Sequence, residues 1–271
     1  MGTITKAIEL LELFSRARPE IGLGEFVRLT RRDKATLHRH LTELAQNGLL
    51  EQCHDTRAYR LGPAILRLSA VREATHPFRA VIRPIVSQLA EEAGELAHAS
   101  LLQGPMLTPV FHADPKRHGT QVHFDEAEML PLHATSSGLA VLAYAPQSLL
   151  DEVLATGLPP MATGTITDAA TLRHLIDTTR RTGISQLSKA FDDEVTSQGA
   201  PLFGPNAEVI GAISVAVPTS RVDADKLDAL LPPLRRAALA ATNSLGGTLP
   251  HMLTGLWADA QDTHQPQSRT A

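Results

Sequence analysis

The chain has 271 residues, 43% hydrophobic and 20% charged, a composition that excludes a disordered tail and leaves room for one large or two ordinary domains. Its net charge of −4 is unevenly spread: residues 1–75 carry 12 Lys and Arg against nine Asp and Glu, the remainder 13 against 20. A nucleic-acid partner is therefore not excluded, because phosphate is met by local positive surface.

No apolar run approaches the roughly 20 residues that span a bilayer. Met1 to Leu13, with Lys6, Glu9 and Glu12 interspersed, has neither the charged start nor the apolar core of a signal peptide. The one cysteine, Cys53, excludes an internal disulfide framework and fits a reducing compartment, so a cytoplasmic location is expected.

Apolar spacing predicts a helix over Thr3–Ser15, a break at Pro19 and Gly22, and a short helix over Gly24–Leu29. After Thr30-Arg31-Arg32, Asp33 is a good N-cap for a helix over Lys34–Gln46 that turns Ala35, Leu37, Leu41, Leu44 and Ala45 inward. Asn47-Gly48 ends it. Helix, short helix, tight turn, helix is the helix-turn-helix arrangement. The outward face carries Lys34, Thr36, His38, Arg39 and Thr42, with Arg31 and Arg32 just before it. Cations and hydroxyls in that pattern suit base edges and phosphates in a major groove. The same face also suits the solvated side of an ordinary three-helix domain.

Leu49–Gln52 and Ala58–Leu61 then read as two short strands around a polar turn, Cys53 to Arg57. A hairpin directly after such a helix is a wing, and Arg57 at its tip is placed to meet phosphate or the minor groove. Cys53 has no neighbouring partner for nucleophilic chemistry.

Beyond the wing, Gly62 to Thr75 reads as a linker helix ended by His76-Pro77. Phe78–Ala93 reads as a second helix, interrupted early by Pro84. Apolar runs over Leu96–Leu102, Met106–Phe111, Thr120–Phe124 and Val209–Val217 alternate with helical patterns over Ser137–Ala145, Ser148–Thr156, Ala169–Thr182 and Val222–Leu245. With Ala200–Phe203 and Val209–Val217 forming a hairpin-like pair, the expectation is an α+β sheet domain.

The run "DKATLHRHLTELAQNGLLEQ…YRLGPAILRL" resembles the DNA-binding domain of the isocitrate lyase regulator (IclR) family of bacterial transcription factors. "LPLHATSSGLAVLA" (130–143) and "RTGISQLSKAFDDEVTSQGAPLFGPNAEVIGAISVAVP" (181–218) resemble further stretches of that family, in order, so the likeness covers residues 3–245. It implies a winged helix-turn-helix over 1–61, a linker helix over 62–77 and a GAF/PAS-like effector-binding domain over 78–246. Residues 247–271, with Gly247, Pro250 and a polar end, read as a partly disordered tail in which Leu253, Leu256 and Trp257 are apolar enough for part to dock. The resemblance also implies a double-stranded DNA operator, a small organic effector, and a homodimer or tetramer. DNA contacts would fall to Arg31, Arg32, Lys34, Thr36, His38, Arg39 and Arg57.

Thr135-Ser136-Ser137-Gly138 precedes an apolar helix, where backbone N–H groups can bind an anion; alone, the motif reads more readily as a simple N-cap. The resemblance makes Ser136 and Ser137 effector-binding, together with Leu187, Ser197, Ser214 and Ala216. Where family members carry a polar residue, this chain has Leu139 and Leu187, which suggests a carboxylate with an apolar or aromatic body. His112, His118, His123 and His133, with Asp114 and Asp125, form a sequence cluster open to a transition metal, but no pair has i, i+4 helical spacing, so no metal is expected. No G-x-S-x-G elbow, phosphate loop or cysteine pair supports a hydrolase or a cofactor. Asp192-Asp193-Glu194 imitates a carboxylate cluster and reads as a solvated turn. A DNA-independent binding protein is the remaining alternative, opposed by the basic run over residues 28–39 and by Arg57.

Overall fold

A computed structural model describes residues 2–257 and divides the chain into two compact units, one up to Pro77 and one from Phe78. In the first, α1 (Thr3–Leu11), α2 (Leu23–Thr30) and α3 (Lys34–Gln46) precede a two-stranded wing, β1 (Leu50–Gln52) and β2 (Tyr59–Leu61). Leu10, Ile21, Phe26, Leu37, Leu41, Leu44, Leu50 and Tyr59 form its core. Ile21 adds a third rung to the wing through reciprocal 2.9 Å backbone bonds with Tyr59. The first helix stops at Leu11, four residues short of the predicted end, because Phe14 leaves the helix to meet Phe26 edge-on at 5.9 Å.

The wing's return is built on two glycines. Gly48, at φ +70°, closes α3, and a Cβ on Gly62 would lie 2.2 Å from the Gly48 carbonyl oxygen. The Leu-Gly-Pro step after β2 therefore allows no side chain at its centre. Next, α4 (Ala64–Thr75) buries none of its residues, leaving Leu66, Leu68 and Val71 exposed.

The second unit opens with α5 (Phe78–Ala93), which runs unbroken through Pro84. The carbonyl that the proline leaves unpaired belongs to Ala80, which is exposed to water, so the helix tolerates the ring. Six antiparallel strands follow: β3 (Leu96–Gln103), β4 (Met106–Ala113), β5 (Leu130–Pro131), β6 (Ser185–Ser188), β7 (Val195–Phe203) and β8 (Val209–Pro218), in sheet order β5-β4-β3-β8-β7-β6. Between β5 and β6 come α6 (Ser136–Tyr144), α7 (Gln147–Thr156) and α8 (Ala169–Thr182); α9 (Ala224–Ser244) and α10 (His251–Leu256) close the unit. α5 and α9 pack together, and α6 lies over β7 and β8. This is a helix-turn-helix unit followed by a mixed α/β unit, the expected fold class.

Three expectations change. Thr120–Phe124 is not a strand: the two-residue β5 takes the place beside β4, and residues 114–129 cross as an irregular loop. β7 begins five residues earlier than its apolar run, and β6 is too polar to register as a strand. The tail is docked up to its tryptophan: Leu253 and Trp257 are fully buried against Gly183, the left-handed cap of α8. The polar remainder of the expected loose tail, 258–271, lies outside the described residues.

Candidate nucleic-acid interface and effector site

Asp33 caps α3 by accepting the Thr36 backbone N–H at 2.8 Å, and that bond lowers its carboxyl pKa. With the start of the helix fixed, Lys34, Ala35, His38 and Arg39 are exposed, while Thr36 and Thr42 are half-buried and Leu37, His40 and Leu41 face the core. Ala35, predicted inward, is outward: the helix turns its buried stripe through 37, 40, 41 and 44. Thr42 donates to the His38 carbonyl at 2.8 Å and so spends its hydroxyl within the helix.

The cations sort by partner. Arg28 pairs with Glu25 at 3.1 Å, and Arg60 with Glu51 at 2.5 Å. Arg32, expected among the DNA contacts, is turned inward: its guanidinium ion-pairs with Glu9 and donates to the Lys6 carbonyl at 3.1 Å, tying α1 to the turn between α2 and α3. Arg31, Lys34, Arg39 and Arg57 are exposed and make no ion pair among the described residues. Arg31 and Arg57 stand at φ +53° and +58°, held there by backbone bonds to Val27 and Cys53.

In the second unit, Leu187, Ser197 and Ala216 stand in register across β6, β7 and β8 and form the floor of a cleft of about 750 Å³, mouth included. Ser136 and Ser137 form one wall and the 114–129 loop another, through Val122, His123 and Phe124. The Thr135 hydroxyl oxygen accepts the Gly138 N–H at 3.0 Å and donates to the Pro131 carbonyl, setting the start of α6. The first-turn N–H groups of Ser136 and Ser137 have no acceptor within the helix, and both residues line the cleft. Gly138 lets this turn lie on the chain, since a Cβ there would meet the Leu132 Cα at 2.3 Å.

Of the predicted effector residues, five line this cleft and Ser214 does not. Ser214 is sealed beneath Gly199 and Ser136, fully buried, its hydroxyl without a partner. Leu139 is packed in the core of α6 and also stays out of the cleft, so only Leu187 among the two departures bears on the ligand.

The pattern missed His98. It lines the cleft, is 6% exposed, and lies under the Phe124 ring, centroids 4.5 Å apart. Desolvation, with His112 adding repulsion, pushes its pKa down to about 3. Phe124 also meets His112 at 5.3 Å, and Glu126 binds His112 at 2.8 Å and Arg79 at 3.2 Å. The other end of the loop is fixed where Arg221 donates to the Thr120 carbonyl at 2.7 Å while ion-paired to buried Glu95. His112, His118 and His133 thus go to different partners, Glu126, Glu95 at 3.8 Å, and the Pro159 carbonyl at 3.0 Å. Among the described residues no group of three or more His, Cys, Asp or Glu could hold a metal, and no helix is long and apolar enough to cross a membrane. Asp193, in the acidic run, accepts from Thr163, which lowers its pKa.

Two family models match the chain, the IclR helix-turn-helix domain over residues 3–53 and the C-terminal domain of the bacterial transcriptional regulator IclR over 73–243. The chain is 27% identical to the HTH-type transcriptional regulator KipR of Bacillus subtilis, over 91% of its own length and 98% of that protein. A crystal structure of an IclR-type transcriptional regulator from Silicibacter sp. TM1040 is 44% identical, covers 93% of this chain and 99% of its own, and superposes with a TM-score of 0.86. An IclR homologue of Microbacterium hydrocarbonoxydans, solved with 4-hydroxybenzoate, shares the fold at 24% identity and a TM-score of 0.74, over 90% of this chain and 99% of that one. With the exposed cations of the capped helix and the cleft of the second unit both falling inside matched segments, the chain belongs to the IclR family of DNA-binding transcriptional regulators.

Proposed function

We propose that this regulator reads its operator through Lys34, His38 and Arg39 on α3, with Arg31 and Arg57 on phosphates, and answers to a small carboxylate with an apolar body. The carrying observation is the cleft itself. Two unpaired N–H groups, at Ser136 and Ser137, meet walls built from Phe124, Leu130, Leu187, Ala190, Phe191 and Ala216. Free N–H groups at a helix start favour an anion. The apolar walls favour a body of rings or methylenes, since apolar burial carries much of a small ligand's affinity. The 4-hydroxybenzoate bound by the Microbacterium hydrocarbonoxydans homologue supports an acid of this kind.

We infer that the protein acts by binding, as the transcriptional regulators it resembles are named to do, and the engagement of the Ser137 hydroxyl with Thr135 accords with that reading. We assign residues 1–61 to the DNA reader, 62–77 to the linker, and the effector domain from 78 to at least Trp257, whose ring belongs to that core. A homo-oligomer working in the cytoplasm completes the reading; the exposed apolar residues of α4 support self-association.

The test is calorimetry on the full chain with benzoate, hexanoate, pyruvate and glyoxylate. Binding of benzoate or hexanoate, and loss of that affinity in Leu187→Lys, is the expected result. Binding confined to the two- and three-carbon acids would overturn the apolar-body reading.

A further inference from the structure

We propose that His98 is a specificity-determining residue whose Nε2 hydrogen-bonds an uncharged oxygen, hydroxyl or carbonyl, on the effector. This rests on the carboxylate reading of the cleft and adds a second polar anchor to it. The observations are geometric. His98 is more than nine-tenths buried, yet it lines the cleft. Its Nδ1 is occupied by the fully buried Ser100 hydroxyl at 3.4 Å. Its Nε2 has no partner among the described residues, and it is not among the enclosed unpaired atoms, so it remains open to the cleft. A nitrogen that opens onto the cleft can exchange a water for a ligand oxygen when the effector seats.

The position is set by the sheet. His98 pairs with Ser214, and Ser214 with Gly199, the residue over which the Ser136 backbone lies. His98 is thus two strands from the carboxylate end, a span of roughly 10 Å that one aromatic ring or a short chain can bridge. Phe124, stacked on the imidazole, holds the ring plane and keeps water from one side. An imidazole kept neutral offers one donor and one acceptor, which suits a hydroxyl or carbonyl and gives a second carboxylate no cation to meet. The predicted effector is therefore a monocarboxylate carrying a neutral oxygen far from its acid group.

Two ligand pairs test this on the full-length protein by calorimetry: benzoate against 4-hydroxybenzoate, and hexanoate against 6-hydroxyhexanoate. The hydroxylated member of at least one pair should bind about tenfold more tightly, equal to ~1.4 kcal/mol. His98→Phe should erase that preference, read as the ratio of the two affinities within each pair whatever the substitution does to both; His98→Gln, which keeps a side-chain amide, should retain part of it. If His98→Phe does not fold, ¹⁵N-histidine NMR of the unaltered protein decides. The hydroxylated acid should then shift a ring nitrogen signal that is absent in His98→Gln, and its unsubstituted partner should not. Equal affinities within both pairs, or a preference that survives in His98→Phe, would overturn the role of His98 and leave the carboxylate reading standing. Failure of all four acids to bind would overturn both.

Discussion

Arg32 and Arg39 are seven positions apart in one basic run, and their side chains do opposite jobs. Arg39 ends in solvent without a counter-ion among the described residues, whereas Arg32 is held by Glu9, 23 residues earlier. Replacing Lys34 or Arg39 by Ala should weaken operator binding about 5- to 100-fold (~1–3 kcal/mol) and leave thermal unfolding unchanged. Replacing Arg32 by Ala should lower the melting temperature of the first unit, because Glu9 then keeps a half-buried carboxylate without its cation. Fluorescence anisotropy on labelled operator at several salt concentrations, beside calorimetric melting, separates the two; equal loss of operator affinity and of stability in all three variants would defeat the assignment. Sequence showed the outward stripe of α3 because helical period is local. It did not show that Arg32 is spent, since its partner is fixed by tertiary packing of α1. His98 escaped for the same reason: on its own strand it is one polar residue in an apolar run, and only β8 and the loop carrying Phe124 make it part of a site.

At the scale of elements, the legible parts were those with a capping signal, as α3 after Asp33, or strong periodicity, as α8; the structure adds that Asp33 and Asp168 accept from Thr36 and Thr171. The loop 114–129 was not legible, because five apolar or neutral residues fit a strand and a lid equally well. Aromatic stacking and the Arg221 and Glu126 bonds decide between them. Close approach is a second element-level constraint. Gly138→Ala would push a methyl carbon into the Leu132 backbone, so α6 must shift or the turn must open. Overpacking of this kind costs roughly 1–3 kcal/mol or more. The expected outcome is a lower melting temperature together with weaker carboxylate binding, since the Ser136 and Ser137 N–H groups move with the helix. α4 poses the converse case. With no buried residue of its own, Leu66→Asp with Val71→Asp should change monomer stability little, within about 0.5 kcal/mol per site, but should reduce the oligomer seen by analytical ultracentrifugation. An unchanged sedimentation coefficient would rule α4 out as the contact.

At the scale of the whole chain, the second unit contains the one tryptophan, Trp257, fully buried against α8, so its fluorescence follows the unfolding of that unit alone. That gives a direct reading of the buried histidine's energetics. His98 titrates near 3 in the folded state against an ordinary 6.5, the depression coming first from burial and then from His112. Above pH 6.5 neither state protonates the ring, and it contributes no pH dependence. Between 6.5 and 3 the unfolded chain takes up a proton that the folded chain refuses, so stability falls with acid, at a limiting slope of ~1.4 kcal/mol per pH unit. Below about 3 the folded state is protonated too, and the slope vanishes. The carboxylates of Asp168 and Asp193 are held below their usual value by hydrogen bonds from Thr171 and Thr163, and their contribution is lost only lower, as pH falls below about 3.8. Urea unfolding followed at Trp257 between pH 7 and pH 5 therefore isolates the imidazole from these acids. The unaltered protein should lose stability steadily across that window, and His98→Asn, which cannot titrate, should follow a flatter line. Parallel lines for the two proteins would show that the ring titrates in the folded state as it does in the unfolded chain, so that its surroundings do not hold it neutral.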